Sequence, residues 1–425
     1  MTMRSIIHER PRAALLVKAA FRGEKLVNYS LLSFGIGKES LTMRTKPTGR
    51  YVTATVAGEP VSAFVPNPLP PRLSATQLAT LSSPLHDAEA ALARLELAGE
   101  MIPSINWFIY AFVRKEALLS SEIEGTQATL FDVLAWEQTD QPGDSSIDDI
   151  EEVTNYVAAV NYAFEQIHSK KGVPVSVRLF NKCHRILMQG ARGKNKQPGE
   201  PRRSQNWIGG SRPGNAVFVP PPPEKVTELL ADMETYIHTD NKLAPLLRIA
   251  IVHAQFETIH PYLDGNGRLG RMLIALLLDH WQLLHSPLLY LSLYLKQNQA
   301  AYYRYLSAIR TEGDWIGWIH FFLDGVTQIA EDSTRTARAL HARVSDDRQV
   351  LLATPGVTVS AIQLFELLPE HPVITMPLVT RLLSTSKPTA GKAIDVLIKA
   401  GILGEVGERK RDRLYRYDRY LPILD

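Results

Sequence analysis

The chain reads as mainly α-helical: a helical core with a small β-hairpin, followed by a C-terminal winged helix-turn-helix. Three observations predict that fold class. From residue 74 to about 341, apolar residues recur mostly three and four positions apart, the period that buries one face of a helix. One stretch, 204–219, breaks the period with two strand-like runs around Pro213-Gly214-Asn215. Beyond Thr354 the segments shorten. Two helical runs lead to a third opened by Ser386-Lys387-Pro388-Thr389, then come Ile402-Leu403, a basic turn and Leu414-Tyr415-Arg416-Tyr417, the order of a winged helix.

Taken in order, residues 1–45 form a basic leader. Ten Lys/Arg stand against three Glu in the first fifty positions, which suits an unstructured leader or a binding arm. Residues 46–105 make an N-terminal arm and helix: 51–65 alternates like a strand and runs into Pro66-Asn67-Pro68-Leu69-Pro70-Pro71, which no helix sustains. The core spans 106–343. Within it, 140–146 reads as a surface loop, and the seven acids from Glu137 to Glu152 form a solvated face rather than a metal cluster. A lone hairpin at 204–219 is marginal, so it must pack on the helices or receive a partner strand. Residues 354–425 form the winged module, with 386–400 as its recognition-type helix and Arg409-Lys410-Arg411 in its wing. That module serves either duplex DNA, through 386–417, or packing and dimerisation.

Composition narrows the classes. At 425 residues, 45% apolar and 21% charged, the chain suits two or three globular domains and excludes a wholly disordered, collagenous or coiled-coil protein. A net charge of +3 is too small for a protein that coats nucleic acid generally. The single cysteine, Cys183, permits neither an internal disulfide nor a cysteine zinc knuckle, so a cytoplasmic location is expected. The most apolar run, 272–278, is too short to cross a bilayer, and no membrane partner is expected.

Chemistry concentrates at His260-Pro261-Tyr262-Leu263-Asp264-Gly265-Asn266-Gly267-Arg268-Leu269-Gly270-Arg271. Glycines flanking an asparagine at a helix start leave backbone N–H groups aimed at one spot, where the helix dipole also favours an anion. Arg268 and Arg271, three apart, add cationic clamps for a phosphate chain. Asp264 offers a hard oxygen suited to magnesium, and His260 a base near neutral pH. Rival readings are an ordinary Asp-Gly-Asn-Gly turn, a calcium loop that lacks the needed ligand alternation, and a metal held by His253, Glu257 and His260. An acid, a glycine nest, two arginines and a histidine within twelve residues outweigh them.

This run resembles the Fic signature, with Tyr262 where that family usually carries Phe, and the similarity extends over about residues 70–330. The resemblance implies a Fic helical core and magnesium-dependent transfer of AMP from ATP to a Ser, Thr or Tyr hydroxyl of a protein, the chain itself included. It implies His260 as general base and Asp264 as magnesium ligand. ATP would be bound by Gly265, Asn266, Gly267, Arg268, Leu269, Gly270 and Arg271, with Ile208 and Tyr303 at the nucleobase. Upstream, Ser120-Ser121-Glu122-Ile123-Glu124-Gly125 resembles the family's inhibitory helix. There Glu124, one turn beyond Ser120, would pair with Arg271 and keep it from the ATP γ-phosphate. The hairpin at 204–219 resembles the flap on which a target protein docks by strand addition. Two alternatives stay open at this point: removal of AMP at the same site, and a DNA-binding regulator that uses the winged helix. A homodimer is a further expected assembly.

Overall fold

The computed structural model describes residues 47–100, 104–139, 145–190, 195–407 and 413–424. The basic leader, most of the 140–146 loop and the turn carrying Arg409, Lys410 and Arg411 lie outside them.

The strand-like segment after the leader folds back on itself. Strands β1 (Gly49–Val56) and β2 (Glu59–Pro66) pair antiparallel, from Gly49 opposite Pro66 to Val56 opposite Glu59. Ala57 and Gly58 have φ of 48° and 82°. Two successive left-handed residues give the turn whose twist matches a hairpin, so one expected strand becomes two. Helix α1 (Ala75–Thr80) follows, its start closed by reciprocal bonds between Ser74 and Gln77.

The core comprises α2 (Ser82–Glu100), α3 (Ile105–Ile123), α4 (Leu130–Thr139), α5 (Ile147–His168), α6 (Val177–Leu187), α7 (Pro223–His238), α8 (Pro245–Ile259), α9 (Asn266–His280), α10 (Ser292–Gln297), α11 (Gln299–Glu312) and α12 (Trp315–Ala353). Helix α8 is buried on nearly every side, which is why its sequence is apolar all round rather than striped. Fully buried Trp318 of α12 donates its indole N–H to Ala250 O of α8 at 2.8 Å. Helix α2 lies along α12 and buries Ala88, Ala91, Leu92 and Leu95. Helix α12 runs 39 residues, past position 343 where the core was expected to end. No glycine or proline occurs between Gly325 and Pro355 to stop it earlier.

After α12 come α13 (Val359–Leu367), β3 (Val373–Thr375), α14 (Met376–Leu382), α15 (Lys387–Lys399), β4 (Leu403–Val406), β5 (Leu414–Tyr417) and α16 (Leu421–Leu424). The three strands form an antiparallel sheet in the order β3-β5-β4. Fully buried Asp347 of α12 ties the module down by accepting from Arg343 (2.8 Å), the Tyr417 hydroxyl (2.9 Å) and Arg419 (3.2 Å). The module also meets the core, where Arg416 lies over the Phe131 ring and Ser104 donates to Glu370. The outward face of α15 mixes Lys387, Lys392 and Lys399 with Asp395. No helix among the described residues is long and apolar enough to cross a membrane.

The expected hairpin at 204–219 is thinner than two strands. It is held by one bridge, Ile208 to Phe218, around a 3-10 turn at Pro213–Asn215. Gly209 and Gly210 are left-handed, at φ 67° and 75°, and bend the first strand away after a single pair. Pro220 to Pro223 lack N–H groups and end the second.

Candidate active site

Helix α8 stops at His260, whose backbone is left-handed (φ 49°) with its N–H on Phe256 O. That cap projects the half-buried histidine toward the start of α9. The connecting loop is braced from within. Tyr262 N–H donates to Asn266 Oδ1, and Asn266 Nδ2 donates back to Tyr262 O, both at 2.8 Å. The Asn266 amide is therefore spent on its own loop, so it shapes the nest rather than reaching into it. Gly265 caps α9 at φ 74°, a conformation that favours glycine. As the first turn of a helix, 266–268 leave N–H groups without intrahelical acceptors.

Residues outside the motif hold this loop. The His184 ring stacks on Tyr262 at 3.9 Å, with Nδ1 accepting from Gly199 N–H. Its Nε2 therefore donates to Asp264 O at 3.0 Å. Burial lowers the His184 pKa to about 4, which keeps that neutral tautomer at neutral pH. The Tyr262 hydroxyl, absent from a phenylalanine, donates to Asn181 Oδ1 at 2.7 Å. Arg202 joins the base of the flap to the motif: its Nε donates to His260 O (2.9 Å) and its backbone N–H to Pro261 O (2.8 Å).

Both arginines of the motif are buried. Arg268 faces Glu152 at 3.5 Å and Asp264 at 3.8 Å. Arg271 is held by α3: Nε donates to Ser120 Oγ (2.7 Å), and Nη2 to Ser120 O (2.9 Å) and Glu124 Oε1 (2.8 Å). A Cβ on Gly267 would collide with Glu124 Oε1, so the carboxylate lies over the glycine nest itself. Burial opposes the charge on Glu124, but the adjacent Arg271 guanidinium outweighs it and holds the carboxyl below its ordinary pKa. For Arg271, burial likewise disfavours the cation, and the Glu124 carboxylate more than offsets it. The pair is thus ionised, with Glu124 39% exposed and Arg271 sealed beneath it.

Burial, and next the Arg202 charge, lowers the His260 pKa to about 4. In the free protein its imidazole should titrate near pH 4 rather than near 6.5, with the NMR shift of the ring carbon against pH as the measurement. A midpoint above 6 would show that burial does not govern this group.

Other expected site residues are placed as follows. Leu269 is buried in the core, so only its backbone faces the loop. Gly270 O receives His253 Nδ1–H at 2.9 Å. His253 is fully buried, takes the Tyr302 hydroxyl on Nε2 at 3.0 Å and stacks on Trp318. It is a packed core histidine, and no group of three or more metal-binding side chains occurs among the described residues. Tyr303 is half exposed, and burial and then the Glu124 charge raise its pKa, which puts it within electrostatic reach of the nest. Ile208 is engaged in the bridge to Phe218. Sequence reading missed His184, Arg202 and Glu116, and weighed Glu257 only as a metal ligand. Glu116 lies two turns before Glu124 on α3, and its pKa is raised to about 7 by burial, partly offset by Ser292 and Arg271. Glu257 is raised to about 7 by burial, and its Oε1 has no hydrogen-bond partner among the described residues. The spacing 116, 120, 124 was the one available signal for Glu116.

Asp264 spends Oδ1 on Gly265 N–H (2.6 Å), and its side chain is 47% exposed at the lip of the nest. One open carboxylate fits a magnesium ion that draws its other ligands from phosphate and water.

Residues 82–165 match the family model "Fic/DOC family N-terminal", and residues 174–278 match "Fic/DOC family". The protein adenylyltransferase fic-1 of Caenorhabditis briggsae is 32% identical over 139 residues, 32% of this chain and 25% of that protein. The protein adenylyltransferase Fic of Drosophila grimshawi is 27% identical over 250 residues, 57% of this chain and 44% of that protein. The chain thus spans less than half the length of these curated relatives. The crystal structure of a Fic family protein from Desulfovibrio desulfuricans G20 superposes with a TM-score of 0.53 at 21% identity, covering 82% of this chain and 98% of that one, so the two share a fold. The first match takes in the helix that carries Glu124 and the second the loop from His260 to Arg271, so the chain carries a Fic/DOC N-terminal region followed by a Fic/DOC domain.

Proposed function

We propose that the chain is a protein adenylyltransferase that moves AMP from ATP to a Ser, Thr or Tyr hydroxyl of a protein, itself included, and that Glu124 restrains it. One observation carries this reading: the buried Arg271 guanidinium is aimed at the Gly265–Gly267 nest beside His260, and the Glu124 carboxylate already occupies that spot as an anion would. The match to the Fic/DOC family model and the names of the curated relatives support it.

In this reading the N–H groups at the start of α9 and the two arginines hold the phosphate chain, so catalysis is mostly positioning and charge neutralisation. His260 is neutral near pH 7 and ready to accept a proton. The acceptor hydroxyl gives that proton to His260 while its oxygen bonds to the α-phosphorus. The bond from that phosphorus to the bridging oxygen breaks, and pyrophosphate leaves. Magnesium, held by Asp264, would supply charge neutralisation on the phosphates. Ser120 and Glu124 have different parts. Ser120 fixes the guanidinium in place through two hydrogen bonds, and Glu124 competes with phosphate for it.

Incubating the purified chain with ATP and magnesium should add the mass of one AMP moiety to a fraction of the molecules, read by intact-mass spectrometry. The fraction should grow when Glu124 is removed. If neither wild type nor Glu124→Gly gains that mass or transfers it to another protein, adenylylation is wrong.

A further inference from the structure

The two edges of the flap are not alike. Ile208 and Phe218 bond through both backbone groups, N–H to O at 2.8 and 3.1 Å. By strand alternation the backbone groups of Trp207 and Gly209 therefore point away on one side, and those of Val219 on the other. The Val219 side is already taken, because its carbonyl accepts from Phe64 N–H of β2 at 3.0 Å. Three further anchors fix the β1–β2 hairpin. Thr48 Oγ1 donates to Ile309 O (2.7 Å), Gln255 Nε2 donates to Asn67 O (3.1 Å), and the Glu59 carboxylate takes Gly214 N–H (3.0 Å) and Arg212 Nη1 (2.5 Å) at the flap tip. Val56, Val61, Ala63 and Val219 close over one another between hairpin and flap.

The opposite edge is open. Among the described residues the backbone N–H and C=O groups of Trp207 and Gly209 have no hydrogen-bond partner, and both residues are exposed. This edge begins at the catalytic loop, where Asn206 Nδ2 donates to Tyr262 O at 3.2 Å. It is also flanked by apolar surface: Val217, 80% exposed, lies across Gly209, and Trp207 is 38% exposed.

We infer that the β1–β2 hairpin is a built-in third strand of the target-docking platform. It closes the outer edge of the flap and sets its position, so that a protein substrate pairs only along the Trp207–Gly209 edge beside His260. This rests on the adenylyl-transfer reading. The partner is an extended segment with free backbone N–H and C=O groups facing Trp207 and Gly209, no proline at those pairing positions, and an apolar side chain against Val217 and Trp207. Its hydroxyl-bearing residue sits at the end nearest Asn206.

The test uses the full chain carrying Glu124→Gly, with a tagged His260→Ala copy of the same chain as acceptor protein. Glu59→Ala, which frees the flap tip, should raise KM for the acceptor about fivefold, and Glu59→Gln, which keeps an acceptor for Gly214 N–H, should recover part of that loss. Trp207→Pro removes the N–H of the open edge and should lower kcat/KM for the acceptor at least about tenfold. ATP affinity, measured with a fluorescent ATP analogue, should stay unchanged in all three and serves as the check on folding. In hydrogen exchange, Phe64 should be protected while Trp207 and Gly209 exchange freely, and Glu59→Ala should speed exchange at Phe64. Unchanged KM and kcat/KM for both Glu59→Ala and Trp207→Pro, or protection at Trp207 and Gly209 in the free chain, would overturn the assignment of the edge. If the parent transfers no AMP to any protein although the exchange pattern is as stated, the underlying adenylylation reading fails instead.

Discussion

His260→Ala is expected to lower AMP transfer by about a hundredfold to ten-thousandfold, the range for loss of a general base, while ATP affinity changes by less than about threefold. The separation follows from the architecture. The imidazole stands at the end of α8, whereas in the proposed reading the groups that would hold the nucleotide belong to α9, namely the first-turn N–H groups, Arg268 and Arg271. The nest does not depend on the histidine ring. Tyr262 and Asn266 brace the loop through each other, and Arg202 reaches His260 only through its backbone carbonyl. Single-turnover transfer together with equilibrium ATP binding gives the two numbers. Transfer at the wild-type rate by the folded variant would remove His260 from the chemistry. Loss of ATP binding in parallel would mean that the ring organises the site instead of acting on the acceptor.

Glu124→Gly should raise adenylylation, self-modification included, by at least about tenfold, equivalent to about 1.4 kcal/mol of barrier. The carboxylate bonds Arg271 at 2.8 Å and lies over Gly267, so it would oppose a phosphate there by occupying both its cationic partner and its space. Its removal does not loosen the arginine, because Ser120 retains Nε at 2.7 Å and Nη2 at 2.9 Å, and the guanidinium stays aimed at the nest. The double variant Glu124→Gly with Arg271→Ala should lose most of the gain, since the glutamate acts through that arginine. Rates on ATP for the two variants, beside wild type, decide it. A Glu124→Gly protein that modifies neither itself nor another protein faster than wild type would reduce Glu124 to an ordinary helix end or leave it a part in AMP removal alone.

Much of this molecule was legible in the order of its residues. A repeat of three and four marks the helices, because a helix face is set by neighbours one turn away. Ser74, Ser146 and Ser176 cap helices as their type prefers. The density of Asp264, the glycine nest, Arg268, Arg271 and His260 pointed to an anion site, since all lie within twelve residues, between the end of α8 and the second turn of α9. Ser120 and Glu124, four apart, were bound to share a face. What sequence alone could not decide were the partners across the chain. The pairing of Glu124 with Arg271 over 147 positions followed only from the family resemblance, whereas the reach of Arg202 to His260 over 58 and of His184 to Asp264 over 80 had no signal in the sequence. The flap kept one bridge because two left-handed glycines turned its strand away, and on its outer edge Phe64 N–H of β2 reaches Val219 O. Local pattern fixes which residues share a face of one element, because the backbone repeats over a few residues. Which faces then meet depends on how the helices bury their apolar sides together, a property of the packed whole and not of any short stretch.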